Sequence, residues 1–241
     1  MESNFRFGNT NLALFETTKT FQSIKGFPVE GYGVAGVLTG TLEQEKFFGA
    51  KERPVDFYLL KGIVSALLAD VEGVTLVPSK NVPGYMHPKI CMDIVLGGKT
   101  IGLFGKLHPL TLKAFGIKTQ EVWAFEFATK LIEKAYSAQD FEPAKDLPVF
   151  PPSLRDLSVV VDKSVTYAQI ASALDKTPLD VNFSYKLIDL YQGEHLPEGK
   201  KSVTFSLAFS HPEHTLKDKE IDEAFNRIVE QLRTQTGAEL R

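Results

Sequence analysis

A single cysteine, Cys91, stands among 241 residues, so no disulfide can close within the chain. A reducing, cytosolic (cytoplasmic) setting is the plain expectation. No apolar run approaches the ~20 residues that a membrane helix needs. No charged-then-apolar leader opens the chain, so neither a membrane partner nor a signal peptide is expected. Excess charge is missing too, with 27 Lys+Arg against 30 Asp+Glu and a net charge of −3. Up to residue 147 the two signs balance at 16 each; the remainder carries 11 basic and 14 acidic residues. A protein that held nucleic acid mainly by neutralising phosphates would be basic. Any nucleic-acid role is therefore local, or shared with a partner. A composition of 43% hydrophobic and 24% charged residues is that of an ordinary globular protein, and the length suits one or two domains with cores of their own.

Catalytic signatures are equally scarce. There is no Walker loop, HExxH or nucleophile elbow. Residues 31–36, GYGVAG, match GxGxxG literally. That fingerprint needs a preceding strand and a helix opening on it, whereas here Pro28 and Glu30 precede it and an apolar, strand-like run follows. His211 and His214 lack a third ligand at useful spacing, with Pro212 between them pointing to a loop. His87-Pro88 and His108-Pro109 read as loop histidines, and Cys91 as a buried thiol in a strand. The expectation is no catalytic residue, no metal ligand set and no cofactor in this chain.

Residues 137–149, continuing into Pro151 and Pro152, include Pro143 and Pro148 and keep no apolar period. Proline removes a backbone donor and biases its predecessor away from helix, so this stretch reads as a linker between residues 1–136 and 150–241. In the first part, residues 34–38, 101–104 and 122–128 read as strands. Residues 55–70 carry a helical apolar stripe, and Gly97-Gly98 reads as the turn of a hairpin. Residues 4–8 and 12–15 look like a strand pair entered midway, which leads us to expect a piece of a longer polypeptide.

The second part is more legible. Strand-like segments at 157–161, 183–192, 201–209 and 238–241 alternate with helical segments at 166–174 and 218–236, the order β-α-β-β-α-β of the ferredoxin-like split βαβ pattern. Ile170, Ala171 and Leu174 form one helix stripe, and Ile221, Ala224, Phe225, Ile228 and Leu232 the other. Both helices then cover one sheet face and leave the other open. Alternation of side chains assigns the faces. Val203, Phe205, Leu207 and Phe209 meet the helices, so Ser202, Thr204 and Ser206 face outward. Burying Asp189 unpaired would cost several kcal/mol, so it faces outward with Tyr191, placing Ile188 and Leu190 inward and leaving Leu187 badly placed. The open face becomes a polar platform of Asp189, Tyr191, Ser202, Thr204 and Ser206, rimmed by Lys200, Lys201 and Arg155. A tyrosine can stack on an unpaired base, hydroxyls and a carboxylate can read base edges, and lysines can meet phosphates.

Several strings resemble one family in its own order. Residues 55–62, VDFYLLKG, resemble VDFYDLKG of the β subunits of bacterial phenylalanyl-tRNA synthetases, and residues 105–109, GKLHP, resemble GELHP. His87-Pro88 matches the start of HPGRSA, with Lys89–Met92 departing from it. Residues 152–157, PSLRDL, resemble P-x-V-R-R-D-L; residues 189–193, DLYQG, resemble FDVYRG with Ile188 for its phenylalanine; GKKS recurs at 199–202; residues 215–218, TLKD, resemble RTLTDEE; and residues 237–241, GAELR, resemble the GAxLR ending. The resemblance implies an α+β chain: a synthetase-like, catalytic-like α/β module over 1–136 without working residues, which docks the catalytic α subunit in an α2β2 heterotetramer, and a ferredoxin-like anticodon-binding domain over 150–241. By motif position it carries tRNA(Phe) anticodon recognition onto Asp189, Tyr191 and Ser202. Lys217 stands where the family has a capping threonine, so Asp218 is expected to cap the last helix. ATP and Mg2+ belong to the parent enzyme. The alternative is a small-molecule regulatory module built on a ferredoxin-like domain, which would want a glycine at the first strand–helix turn; residues 162–166 have none.

Overall fold

A computed structural model describes residues 1–42, 53–117, 121–137 and 150–241. The chain divides into two compact units, Met1–Glu142 and Pro143–Arg241. The linker expected at 137–149 lies outside the described residues except for Ser137, which closes a helix.

In the first unit the elements run α1 (Glu2–Arg6), β1 (Leu12–Ile24), β2 (Phe27–Thr39), β3 (Thr41–Leu42), β4 (Arg53–Pro54), α2 (Phe57–Leu67), β5 (Val74–Pro78), β6 (Met86–Leu96), β7 (Lys99–Leu107), α3 (Pro109–Ala114), β8 (Val122–Ala128) and α4 (Lys130–Ser137). Six strands form one sheet in the order β1-β2-β8-β7-β6-β5, antiparallel at every pairing. Both long hairpins turn on two residues with positive φ, Lys25-Gly26 and Gly97-Gly98, the backbone that matches the twist of the flanking strands. The Asp56 carboxylate starts α2 by accepting the Leu59 N–H at 2.7 Å. Leu60 and Val64 of α2 are buried against Ile94, Phe104, Trp123, Phe125 and Phe127 on one sheet face. On the other face α3 contributes Leu112 to a smaller core with Ile117, Val122, Val37 and Phe5.

Two expectations change here. Residues 4–8 are not a strand: they fall in α1 and its closing turn, where Arg6 pairs with Glu2 one helical turn back. His87 lies in β6 rather than a loop, although the β6–β7 register breaks between Met86 and Cys91 and leaves 87–90 unpaired with β7. The GxGxxG match sits inside β2, paired with β1 throughout and with β8 from Gly33 onward, and no helix opens on it. Cys91 is buried in β6, and burial pushes its thiol pKa up.

The second unit runs β9 (Ser153–Asp162), α5 (Tyr167–Asp175), β10 (Asn182–Tyr191), β11 (Lys200–Ser210), α6 (Asp218–Thr236) and β12 (Glu239–Leu240). Its antiparallel pairings give the sheet order β10-β11-β9-β12, so the two strands joined through α5 are parallel with β11 between them. This is the ferredoxin-like topology. The fold class of the whole chain is α+β. Leu157, Val159, Val161, Val203, Phe205, Leu207 and Phe209 face both helices and meet Ile170, Leu174, Ile221, Ala224, Ile228 and Leu232. In α5 the third buried position is Ala173; Ala171 is only half-buried. Thr166 and Gln169 close a reciprocal cap at the start of α5. Asp218 does not cap α6. The Glu220 carboxylate reaches back to the Lys217 N–H at 2.9 Å instead, because a lysine side chain has no acceptor to offer.

Candidate nucleic-acid interface

Directly paired residues of antiparallel strands share a face, so register locates every residue of the expected platform. Asp189 pairs with Thr204 and Tyr191 with Ser202. Ser202, Thr204 and Ser206 pair in turn with Val160, Ser158 and Asp156. All lie on the face away from the helices. A bulge makes this possible. Leu187 pairs with Phe205 and Asp189 with Thr204, leaving Ile188 without a partner. The extra residue turns Leu187 to the helix side and Asp189 to the open side, resolving the conflict the alternation posed. Leu190, opposite Val203, faces the helix side as expected, whereas Ile188 is the unpaired bulge residue; on this edge strand Leu187, Ile188 and Leu190 stay 40%, 50% and 52% exposed.

The rim differs from expectation. Of its three cations only Lys200, opposite Asp162, shares the open face. Arg155 pairs with Leu207 and Lys201 with Val161, both helix-side positions. Arg155 reaches Asp218 at 3.4 Å and Lys201 donates to the Lys163 carbonyl at 3.2 Å. The period-2 signal was available, since Arg155 is two residues from inward Leu157 and Lys201 two from inward Val203. By the same register Lys186, opposite Ser206, joins the open face, a cation the expected rim did not include.

The largest departure is at Ser202. It lies on the open face yet is 1% exposed. Tyr191 is paired opposite it, and Arg241 reaches it from the far edge of the sheet. The Arg241 backbone N–H donates to the Ser158 carbonyl at 3.0 Å, one guanidinium nitrogen donates to Ser202 Oγ at 3.4 Å, and the guanidinium carbon sits 5.6 Å from the centre of the Tyr191 ring, within cation–π range. Beside the ring is Gly193, where a Cβ would lie 2.4 Å from the Tyr191 phenol oxygen. Ser158 and Thr204 hydroxyls bond each other at 2.8 Å. Asp189 is exposed. At one end, the Ser164 N–H and hydroxyl hold the Asp162 carboxyl below its usual range, with smaller help from Lys200 and Lys201. No sequence period announces Arg241, since its contacts with Tyr191 and Ser202 are made across the sheet.

Elsewhere, His211 and His214 rings stand 4.1 Å apart. His214 meets Glu220 at 3.0 Å, whose other oxygen is spent on the Lys217 N–H. Among the described residues no group of three His, Cys, Asp or Glu could hold a metal, and no helix is long and apolar enough to cross a membrane.

Residues 148–241 match the ferredoxin-fold anticodon binding domain, and residues 1–129 match the phenylalanyl tRNA synthetase beta chain CLM domain. Phenylalanine–tRNA ligase beta subunits are similar along nearly the whole chain. That of Geobacillus kaustophilus is 36% identical over 96% of this chain and 28% of its own length. That of Lactiplantibacillus plantarum is 33% identical over 96% and 29%, and that of Bacillus subtilis 34% identical over 96% and 28%. The chain thus spans somewhat more than a quarter of the curated relatives it matches. Among solved structures, a pyrrolysyl tRNA synthetase of Desulfitobacterium hafniense covers 60% of this chain and 49% of its own at a TM-score of 0.40 and 13% identity, too slight a likeness to carry an argument. An open-faced ferredoxin-like unit that matches an anticodon-binding domain, following a unit that matches the beta-chain domain, places this chain in the phenylalanyl-tRNA synthetase beta chain family.

Proposed function

We propose that residues 150–241 bind the anticodon stem-loop of tRNA(Phe) on the open face of the β10-β11-β9-β12 sheet, and that residues 1–136 scaffold the catalytic α subunit of an α2β2 phenylalanine–tRNA ligase in the cytoplasm. The observation that carries the first half is a helix-free sheet face presenting an exposed carboxylate, a half-buried phenol and a row of hydroxyls. Tyr191 supplies the stacking surface, Asp189 an acceptor for base-edge donors, Thr204 and Ser202 hydroxyls, and Lys200 a phosphate contact. Arg155 and Lys201, being on the helix side, are left out of this set.

Support for the second half is apolar. Phe15, Leu14 and Leu67 are exposed around a groove of about 470 Å³ floored by Val34, Phe125 and Phe127, a surface suited to burial against another protein. In the parent enzyme ATP and Mg2+ would be used on the α subunit to activate phenylalanine. Titration of the chain with the tRNA(Phe) anticodon stem-loop tests the RNA-binding half. Tyr191→Ala should weaken the complex by about 1–3 kcal/mol, the worth of one stacked base, while Arg155→Ala should bind as the wild type does. Equal affinity for wild type and Tyr191→Ala would remove Tyr191 from the site.

A further inference from the structure

Among the described residues Arg241 holds the one guanidinium on the open face, and its placement is unusual. The other cations there stand beside polar or acidic neighbours across the strands: Lys200 is opposite Asp162, and Lys186 is in line with Ser206 and Asp156. Asp189 and Glu239 complete the charged groups of the face. Arg241 makes no ion pair among the described residues. Its guanidinium rests on an aromatic ring at 5.6 Å and a hydroxyl at 3.4 Å, the long ends of both interactions. Beneath it Ser202 is shut away from solvent. The charge is therefore parked on the very groups an RNA base would use, by contacts weak enough to exchange.

Resting on the function proposed above, we infer that Arg241 is an RNA-contacting residue: a loop base takes its place on the Tyr191 ring, and the displaced guanidinium moves to a neighbouring phosphate. The backbone of Arg241 stays anchored through its N–H to the Ser158 carbonyl, so only the side chain has to swing. The exchange uncovers Ser202 at the same moment. A guanidinium suits both states, since it is planar enough to lie on a ring and forked enough to grip phosphate oxygens. It also lets a chain of net charge −3 offer positive charge to the backbone where the bases are held.

The test titrates the full chain with the tRNA(Phe) anticodon stem-loop between about 50 and 200 mM salt. Wild type, Arg241→Ala, Arg241→Lys and Tyr191→Ala are compared. Arg241→Ala should bind roughly tenfold more weakly at the lowest salt, and its slope of log K against log salt should shrink by about 0.7, the share of one phosphate on a single strand. Arg241→Lys should restore the slope, which a purely structural role at the sheet edge would not move. An unchanged slope in Arg241→Ala, or a tighter complex, would show that the guanidinium is only a cover and overturn the inference. If wild type binds, Tyr191→Ala weakens it and Arg241→Ala changes nothing, this inference alone fails. If wild type does not bind, the proposed function fails and takes the inference with it.

Discussion

At the scale of single residues the platform is shaped by close approaches rather than by charge. Gly193 has no left-handed backbone requirement; what excludes a side chain there is the Tyr191 ring, whose Cζ would stand 2.7 Å from an added Cβ. Gly193→Ala can therefore fold, because the obstructing atoms belong to the free end of a side chain, but the ring must shift. Affinity for the anticodon stem-loop should drop severalfold, with a change in unfolding free energy within about 0.5 kcal/mol, as for other surface substitutions. Binding titration beside a denaturant melt separates the two; an unaltered affinity would mean that the ring position does not matter to the site. The outward face of Thr204 was legible from alternation, and that of Asp189 and Tyr191 from the cost of burying a lone carboxylate. Ser202 was legible as to face and not as to cover, because alternation says which way a side chain points and nothing about what lies over it. The charge of Arg155 and Lys201 suits a rim, but their parity with Leu157 and Val203 puts both on the helix side.

At the scale of elements, legibility followed length. The 19 residues of α6 carry four buried positions on one stripe, and the period announces itself. The five residues of α1 are too few to show one, and the β10 bulge appears in the sequence only as a contradiction, with Leu187 and Asp189 demanding opposite faces at a spacing that forbids it. The start of α6 was misread because the substitute cap comes from Glu220, three residues in, and not from the neighbour of Lys217. That carboxyl is held below its ordinary 4.5 first by the Lys217 N–H and then by His214. A depressed carboxylate contributes stability that is fully present above its unfolded pKa and is lost as pH falls through the folded one. Glu220→Gln keeps an acceptor and removes the charge. Its melting temperature should fall below the wild type's at pH 7, and the gap should close between about pH 5 and pH 3. A gap that stayed constant down to pH 3 would assign the effect to packing instead.

At the scale of the whole molecule, each core draws on one unit: the larger sheet and α2 bury residues between Leu38 and Phe127, and the ferredoxin-like sheet those between Leu157 and Ala238. Order of motifs made the second architecture readable, since each of its elements except the two-residue β12 spans enough residues to show its period. The six-stranded antiparallel sheet of the first unit was not readable beyond single strands and the Gly97-Gly98 hairpin, because its other neighbours are set by pairings far apart in sequence, such as β2 with β8. Cores confined to one unit or the other suit the division of labour proposed for the two units, and that division can be tested by removal. On the proposed function, residues 150–241 hold a part of the tRNA that does not react, and binding energy of that kind is felt equally in the ground and transition states. Losing such energy raises KM and leaves kcat nearly alone. Deleting residues 150–241 from the complete α2β2 enzyme should therefore raise the KM for tRNA(Phe) by an order of magnitude or more, while ATP–pyrophosphate exchange with phenylalanine, which needs no tRNA, keeps its rate. An enzyme that lost exchange along with tRNA binding would show that the ferredoxin-like unit supports the active site itself, and the partition proposed for the two halves of this chain would have to be abandoned.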